Sequence, residues 1–220
     1  MQRTRQILYL IIILIFKLTS LVVASHSTFS VPYHSYTYDF WSEPVEAPQV
    51  YQSSRVIYGD HLGIGNFRKP QDLFAWKDSL VYIADTGNNR IVVMDREWNL
   101  IRVISSFENN GIKDTFNQPH GIHVTEEGLL YIADRDNSRI VVLNETGELV
   151  RIIGSPVSGN EELFNPNFKY FPTKISVDNV GRTYVIADKV YEGIMEFDLA
   201  GNFRGFIGAP RVNPNLIDYI

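Results

Sequence analysis

Short apolar runs separated by polar turn residues occupy most of the chain, from about residue 67 to residue 210. The runs are four to six residues long and rich in β-branched and aromatic side chains. Clusters of Asn, Asp and Gly, such as residues 144–147 and 198–201, stand between them. No stretch of 11 or more residues in this region has the period of an amphipathic helix. The pattern therefore predicts an all-β fold of short antiparallel strands joined by tight turns.

The runs recur as three copies of one unit, at about residues 67–107, 116–155 and 170–210. The first two copies share Tyr-Ile-Ala-Asp at 82–85 and 131–134, followed by Asn-x-Arg-Ile-Val-Val at 88–93 and 137–142. The spacing between Asp85 and Asp134 is 49 residues, and we align Asp188 of the weaker third copy 54 residues further on. Each copy holds four strand-like runs, which is typical of one blade of a β-propeller.

These motifs, together with Pro-x-Gly-Ile at 119–122, resemble NHL repeats. The third copy departs from the pattern, because Asp188 is not followed by the Asn and the Arg. The resemblance implies a propeller of four-stranded blades, usually about six in number. It implies no single activity, since propellers of this type include binding modules and lyase-type enzymes, and similar gluconolactonase-type propellers are hydrolases.

About three blades are present, so we expect an open arc or a truncated six-blade propeller. Residues 55–59 resemble the outermost strand of a repeat, such as residues 151–154, and residues 55–210 are assigned to the blade array. Residues 211–220 are interpreted as a truncated tail. Blades without neighbours leave apolar faces open, which predicts further repeats beyond Ile220, or self-association through those faces.

The N-terminal residues 1–24 are predicted to form a hydrophobic helix that serves as a signal peptide or as a membrane anchor. Arg3 and Arg5 precede ten apolar residues at 7–16, and Ala24 ends a small-residue cleavage motif. Lys17 inside the segment disfavours a spanning anchor by about 2.5–3.5 kcal/mol. Either alternative places the body of the protein outside the cytoplasmic membrane, secreted or membrane-anchored.

Residues 25–54 are rich in Pro, Ser and Tyr. Their three prolines oppose a helix or a central strand, so an extended segment is predicted. We expect Tyr38, Phe40 and Trp41 to pack against another part of the molecule.

Composition removes several classes of function. The chain has no cysteine, which excludes disulfides, thiolate metal sites and a cysteine nucleophile. Beyond residue 24 there are 17 basic and 25 acidic groups, a net charge of −8. An acidic body argues against nucleic-acid binding, and membrane association is expected only through the N-terminal segment.

A repeated polar motif, Asp-x-x-Asn-x-Arg, follows the second strand of the first two repeats. We interpret it as a structural clamp between the second and third strands, because a catalytic site seldom needs copies. The clamp residues are Asp85, Asn88 and Arg90 in the first repeat and Asp134, Asn137 and Arg139 in the second.

The best candidate ligand-binding surface lies where the innermost strands begin, since these strands line a propeller's axis. Its residues are Gln71, Asp72, His120, Thr173 and Lys174. They can also be read as channel residues that are merely solvated. His120 and His123 are three apart and point to opposite sides of a strand, so we predict no metal site and no cofactor. No catalytic residues are assigned.

Two functions remain open after these exclusions. The first is a non-catalytic module outside the cytoplasm that binds a protein or a glycan. The alternative is a metal-assisted lactonase or lyase that uses the channel mouth and His120.

Overall fold

The computed structural model describes residues 36–46 and 55–208, except 78, 158, 159, 161, 165 and 166. The chain divides into two units, residues 1–56 and residues 57–220. The predicted N-terminal helix and the tail at 211–220 lie outside the described residues. Among the residues described, no helix has the length and apolar character needed to cross a membrane.

In the first unit, the described residues form one antiparallel hairpin of strands β1 (Tyr36–Tyr38) and β2 (Pro44–Glu46). The Asp39 carboxylate holds its turn by accepting hydrogen bonds from the backbone N–H groups of Trp41, at 2.8 Å, and Glu43, at 3.0 Å. Tyr38, Phe40 and Trp41 are 62%, 89% and 78% exposed. Within the hairpin, the Tyr38 ring lies 5.7 Å from that of Tyr36 and the Phe40 ring 5.0 Å from that of Trp41, centroid to centroid. Their packing against another part of the molecule stays a prediction.

The described residues of the second unit form three four-stranded antiparallel sheets, as the three repeats predict. Blade A consists of β3 (Asp72–Trp76), β4 (Leu80–Asp85), β5 (Arg90–Asp95) and β6 (Leu100–Ile104). A separate hairpin of β7 (Ser106–Asn109) and β8 (Ile112–Thr115) follows. Blade B consists of β9 (Pro119–Val124), β10 (Leu130–Asp134), β11 (Arg139–Leu143) and β12 (Leu149–Ile153). Blade C consists of β13 (Pro172–Val177), β14 (Thr183–Ala187), β15 (Ile194–Phe197) and β16 (Phe203–Ile207). Three short 3-10 helices lie at Gly59–Leu62, Thr86–Asn88 and Arg135–Asn137.

Blade B is buried on both faces, which explains why its central strands are apolar at residues 130–133 and 140–143. In β10, Leu130 and Ile132 belong to the core shared with blade A, while Tyr131 and Ala133 belong to the core shared with blade C. All four side chains are at most 2% exposed. This arrangement, with a sheet sandwiched between two others, is the packing of propeller blades.

Two local predictions differ from the structure. Residues 55–58 form no strand, and a 3-10 helix begins at Gly59, so the outermost strand predicted at 55–59 is wrong. The hairpin of β7 and β8 was not predicted, and it contributes Phe107 to the core between blades A and B.

The third repeat also pairs in a different register from the one expected. Pro119 of β9 pairs with Asp134, whereas Pro172 of β13 pairs with Ala187. Ala187 therefore takes the position of the clamp aspartate in blade C, and Asp188 lies one residue beyond it. The alignment of Asp188 with Asp85 and Asp134 is corrected by one residue.

Candidate functional site

The clamp aspartate of blade B is fully buried and accepts three hydrogen bonds. One Asp134 oxygen accepts the backbone N–H of Asn117, at 2.7 Å. The other accepts Asn137 Nδ2 at 2.9 Å and Arg139 Nε at 2.8 Å. Burial raises the pKa of Asp134, and the three donors oppose that rise. All three partners donate, so each of these hydrogen bonds favours the ionised form of the carboxyl group.

Arg139 extends the clamp to the β8 strand. Its two terminal nitrogens donate to both oxygens of Asp114, at 2.7 and 2.9 Å. These hydrogen bonds lower the pKa of Asp114 to about 2. The clamp thus joins the β10–β11 turn to the chain that leads into the innermost strand.

Blade A repeats this geometry with its own residues. Asp85 accepts the backbone N–H of Arg68 at 2.7 Å, Asn88 Nδ2 at 2.9 Å and Arg90 Nε at 2.7 Å. Arg90 Nη1 donates to the carbonyl oxygen of Ile64 at 2.6 Å. The clamp has the same geometry and the same burial in blades A and B. This repetition supports a structural role for the clamp, which stays a prediction.

The starts of the three innermost strands meet at one end of the blades. We call this end the mouth; it comprises Gln71, Asp72, His120, Thr173, Lys174 and the turns at residues 86–89, 135–138 and 188–193. One oxygen of Asp72 accepts the backbone N–H of Ile122 at 2.9 Å, and the other pairs with Lys174 Nζ at 2.6 Å. Asp72 therefore contacts residues from all three repeats.

Gly121 allows the innermost strands of blades B and C to lie in close contact. A Cβ atom on Gly121 would lie 2.6 Å from the carbonyl oxygen of Thr173 and 2.9 Å from the Cα of Lys174. Neither backbone atom can move without shifting strand β13. The Gly-Ile of the Pro-x-Gly-Ile motif is thus explained by packing.

The remaining predicted mouth residues differ in exposure. Gln71 is exposed, while His120 is half-buried. Burial lowers the pKa of His120, and the nearby charge of Arg135 lowers it further, so the imidazole is neutral at pH 7. The Thr173 hydroxyl donates to the carbonyl oxygen of Ile186 at 3.0 Å. His123 instead lies against the Phe74 ring, with centroids 5.0 Å apart.

Sequence reasoning missed the main polar residues between blades B and C. Arg135 donates to Asp188 through Nε at 3.0 Å and Nη2 at 2.5 Å, and to Asp136 through Nη1 at 2.5 Å. Its guanidinium also lies over the Phe171 ring, 4.8 Å from the centroid. Arg135 occupies the first variable position of the Asp-x-x-Asn-x-Arg motif, where blade A has Thr86. Comparing the repeats at their variable positions would have singled it out.

The described residues contain no group of three His, Cys, Asp or Glu side chains arranged to hold a metal ion. The arrangement at the mouth instead offers paired donors and acceptors. A lone neutral imidazole, two cations and several carboxylates can form many hydrogen bonds to a polar ligand.

Comparison with known proteins agrees with this architecture. The NHL repeat model matches residues 116–143, which cover most of blade B. The chain thus carries an NHL repeat within a set of propeller-type blades. A comparison with the sequences of curated proteins found no match.

Similar solved structures include a catalytically inactive virginiamycin B lyase from Staphylococcus aureus with quinupristin. Its identity is 14% and its TM-score 0.47, and the match covers 80% of this chain and 49% of that chain. This chain thus spans about half the length of the lyase.

A Bacteroides caccae protein of unknown function matches at 14% identity and TM-score 0.47, over 65% of this chain and 51% of that one. The extracellular domain of a hybrid two-component system from B. thetaiotaomicron matches at 18% identity and TM-score 0.45, over 62% of this chain and 18% of that one. Identities this low do not transfer a function.

Proposed function

We propose that the protein is a non-catalytic binding module and that the mouth is its ligand-binding surface. One observation carries the proposal: blades A and B share the clamp, whereas all three repeats differ where their innermost strands begin, at the mouth. The equivalent residues there are Gln71, His120 and Thr173 at one position and Asp72, Gly121 and Lys174 at the next. Residues that serve only to fold a blade are expected to repeat with it, as the clamp does.

Location outside the cytoplasmic membrane belongs to the same proposal. It is supported by the basic and apolar pattern of residues 1–24. N-terminal sequencing of the protein from its producing cell tests it, with a first residue near Ser25 expected for a cleaved signal. An intact Met1 in a soluble cytoplasmic fraction would contradict export.

The lyase or lactonase alternative has one observation in its favour. The half-buried His120 imidazole is neutral at pH 7, because burial lowers its pKa. A neutral imidazole is able to accept a proton from a substrate. The metal-assisted form of this alternative is tested by metal analysis of the purified protein, where stoichiometric divalent metal would count against a plain binding module.

Affinity capture from cell-envelope extract separates these functions when three forms of the full chain are compared. Lys174→Ala changes the mouth, and Leu199→Ala changes an exposed side chain in the β15–β16 turn at the opposite ends of the strands. We expect the wild type and Leu199→Ala to retain one ligand that Lys174→Ala loses.

Mass spectrometry of that ligand before and after incubation completes the test. An unchanged ligand is expected. Equal retention by Lys174→Ala would place binding elsewhere, and a chemical change abolished by His120→Ala would favour the enzyme.

A further inference from the structure

The β14–β15 turn differs in length and conformation from the equivalent turns of the other two blades. Four residues separate β4 from β5, and four separate β10 from β11; each set contains a 3-10 helix. Six residues, 188–193, separate β14 from β15, and none of them is helical. The conformation of this turn is therefore specific to blade C.

This turn presents an aromatic ring to solvent. Tyr191 is 86% exposed, and its backbone N–H donates to Glu192 Oε2 at 3.0 Å. It is the only aromatic residue of the mouth as defined above, all of which the structure describes. A flat ring with one polar end is suited to stack against a ligand that has both apolar and polar faces.

The charges beside the turn are arranged in pairs and nearly cancel. The cations Arg135 and Lys174 pair with the carboxylates of Asp72, Asp136 and Asp188. With Lys189 and Glu192 of the turn, three positive and four negative groups leave a net charge of −1. The side chains of Asp188 and Lys174 are 42% and 52% exposed, so both still reach solvent. Such a surface has no excess charge to favour an anion such as phosphate.

Paired charges of this kind present donors and acceptors side by side. A sugar hydroxyl is both a donor and an acceptor, so vicinal hydroxyls match an Arg–Asp pair well. A protein partner would instead be expected to meet a more apolar centre depleted in charge. The mouth offers one exposed tyrosine ring in the same turn as Asp188, Lys189 and Glu192.

We propose that the 188–193 turn selects the ligand of the mouth and that this ligand is a neutral glycan. A sugar ring stacks on Tyr191, and its hydroxyls bond to Asp188 and Arg135. The inference rests on the proposed binding function of the mouth and adds its ligand class and its selecting residue.

The test uses the full chain on an array of neutral oligosaccharides and, in parallel, on an array of peptides. We expect at least one neutral oligosaccharide to be retained. Tyr191→Ala should lower its affinity about five- to tenfold, as loss of one aromatic contact does. Tyr191→Phe should keep the affinity, because the ring remains, and Leu199→Ala serves as the matched control.

Each other result overturns part of the account. Retention of peptides alone, or of no neutral oligosaccharide, refutes the glycan class. Binding of a glycan that Tyr191→Ala leaves unchanged but Lys174→Ala abolishes refutes the role of the turn and leaves the mouth as the site. Binding that neither variant changes removes the proposed function as well.

Discussion

Blades B and C differ most at the position that follows their second strand. In blade B, Asp134 is fully buried and joins the turn to the preceding chain through Asn117 and Arg139. In blade C the equivalent residue is Ala187, and Asp188 beyond it is 42% exposed. Asp188 pairs with Arg135 of the neighbouring blade instead of a residue of its own.

The difference shows what changes in blade C, the repeat that lacks the clamp. In blades A and B the clamp carboxylates are fully buried and bond to their own turns, so they are unavailable to a ligand. In blade C, which has no clamp aspartate, Asp188 is 42% exposed and pairs with Arg135 of blade B. We infer that the clamp maintains the fold and that the altered third repeat carries the binding chemistry.

The largest expected effect comes from breaking the clamp in blade B. Asp134→Ala leaves Arg139 and Asn137 without their shared acceptor in a buried site, which should lower the free energy of unfolding by about 3 kcal/mol. Chemical denaturation measures the loss. A change below about 1 kcal/mol would show that the clamp is not structural.

A second variant tests the close approach of blades B and C. The Cβ of Gly121→Ala would meet strand β13 at 2.6 Å, so a loss of about 1–3 kcal/mol is expected from overpacking. Gly154→Ala is the matched control, because nothing lies within 4 Å of its added Cβ. Equal melting temperatures for the two variants would contradict the packing described here.

Acid should weaken the clamp through Asp114. Its pKa of about 2 in the folded protein lies below its usual value near 3.9, because Arg139 donates to it. The stability it adds is therefore complete above about pH 4 and is lost as the pH falls from 4 towards 2. Asp114→Asn should be less stable at pH 7 and should lose less stability than the wild type over that interval, as measured by melting temperature. Parallel acid profiles would argue against this pair.

The smallest effect is expected in blade C. Asp188→Ala removes an ion pair that is partly open to solvent, with the Asp188 side chain 42% exposed, so the free energy of unfolding should change by less than about 1 kcal/mol. Thermal unfolding beside Asp134→Ala gives the comparison directly. A loss as large as that of Asp134→Ala would mean that Asp188 is a structural residue too.

The blades could be predicted from sequence because both faces of their central strands are buried. Successive side chains in these strands are therefore apolar, which gives continuous apolar runs. The hairpin of β7 and β8 was missed because its strands are short and polar. Its signal was the Asn110-Gly111 pair, whose positive φ angles of 53° and 79° suit a tight hairpin turn.

The site was predictable only in part. Asp72, His120 and Lys174 could be predicted as binding residues because they lie near the starts of the innermost strands, at one end of the sheets. Arg135 and Asp188 were missed because their contact joins two repeats across 53 residues. The sequence showed that the third repeat lacks the Asn and the Arg of the clamp. The one-residue register shift in blade C hid the loss of its aspartate, which the strand pairing reveals.

The most direct test of the account is an amide NMR titration of the full chain with the oligosaccharide that the array selects. The account predicts that the largest shift changes occur at residues 188–193 and at His120. The equivalent turn of blade A, residues 86–89, should stay unchanged, because its clamp carboxylate is enclosed. Equal changes in both turns, or changes confined to the opposite ends of the strands, would contradict the claim that the altered third repeat carries the binding site.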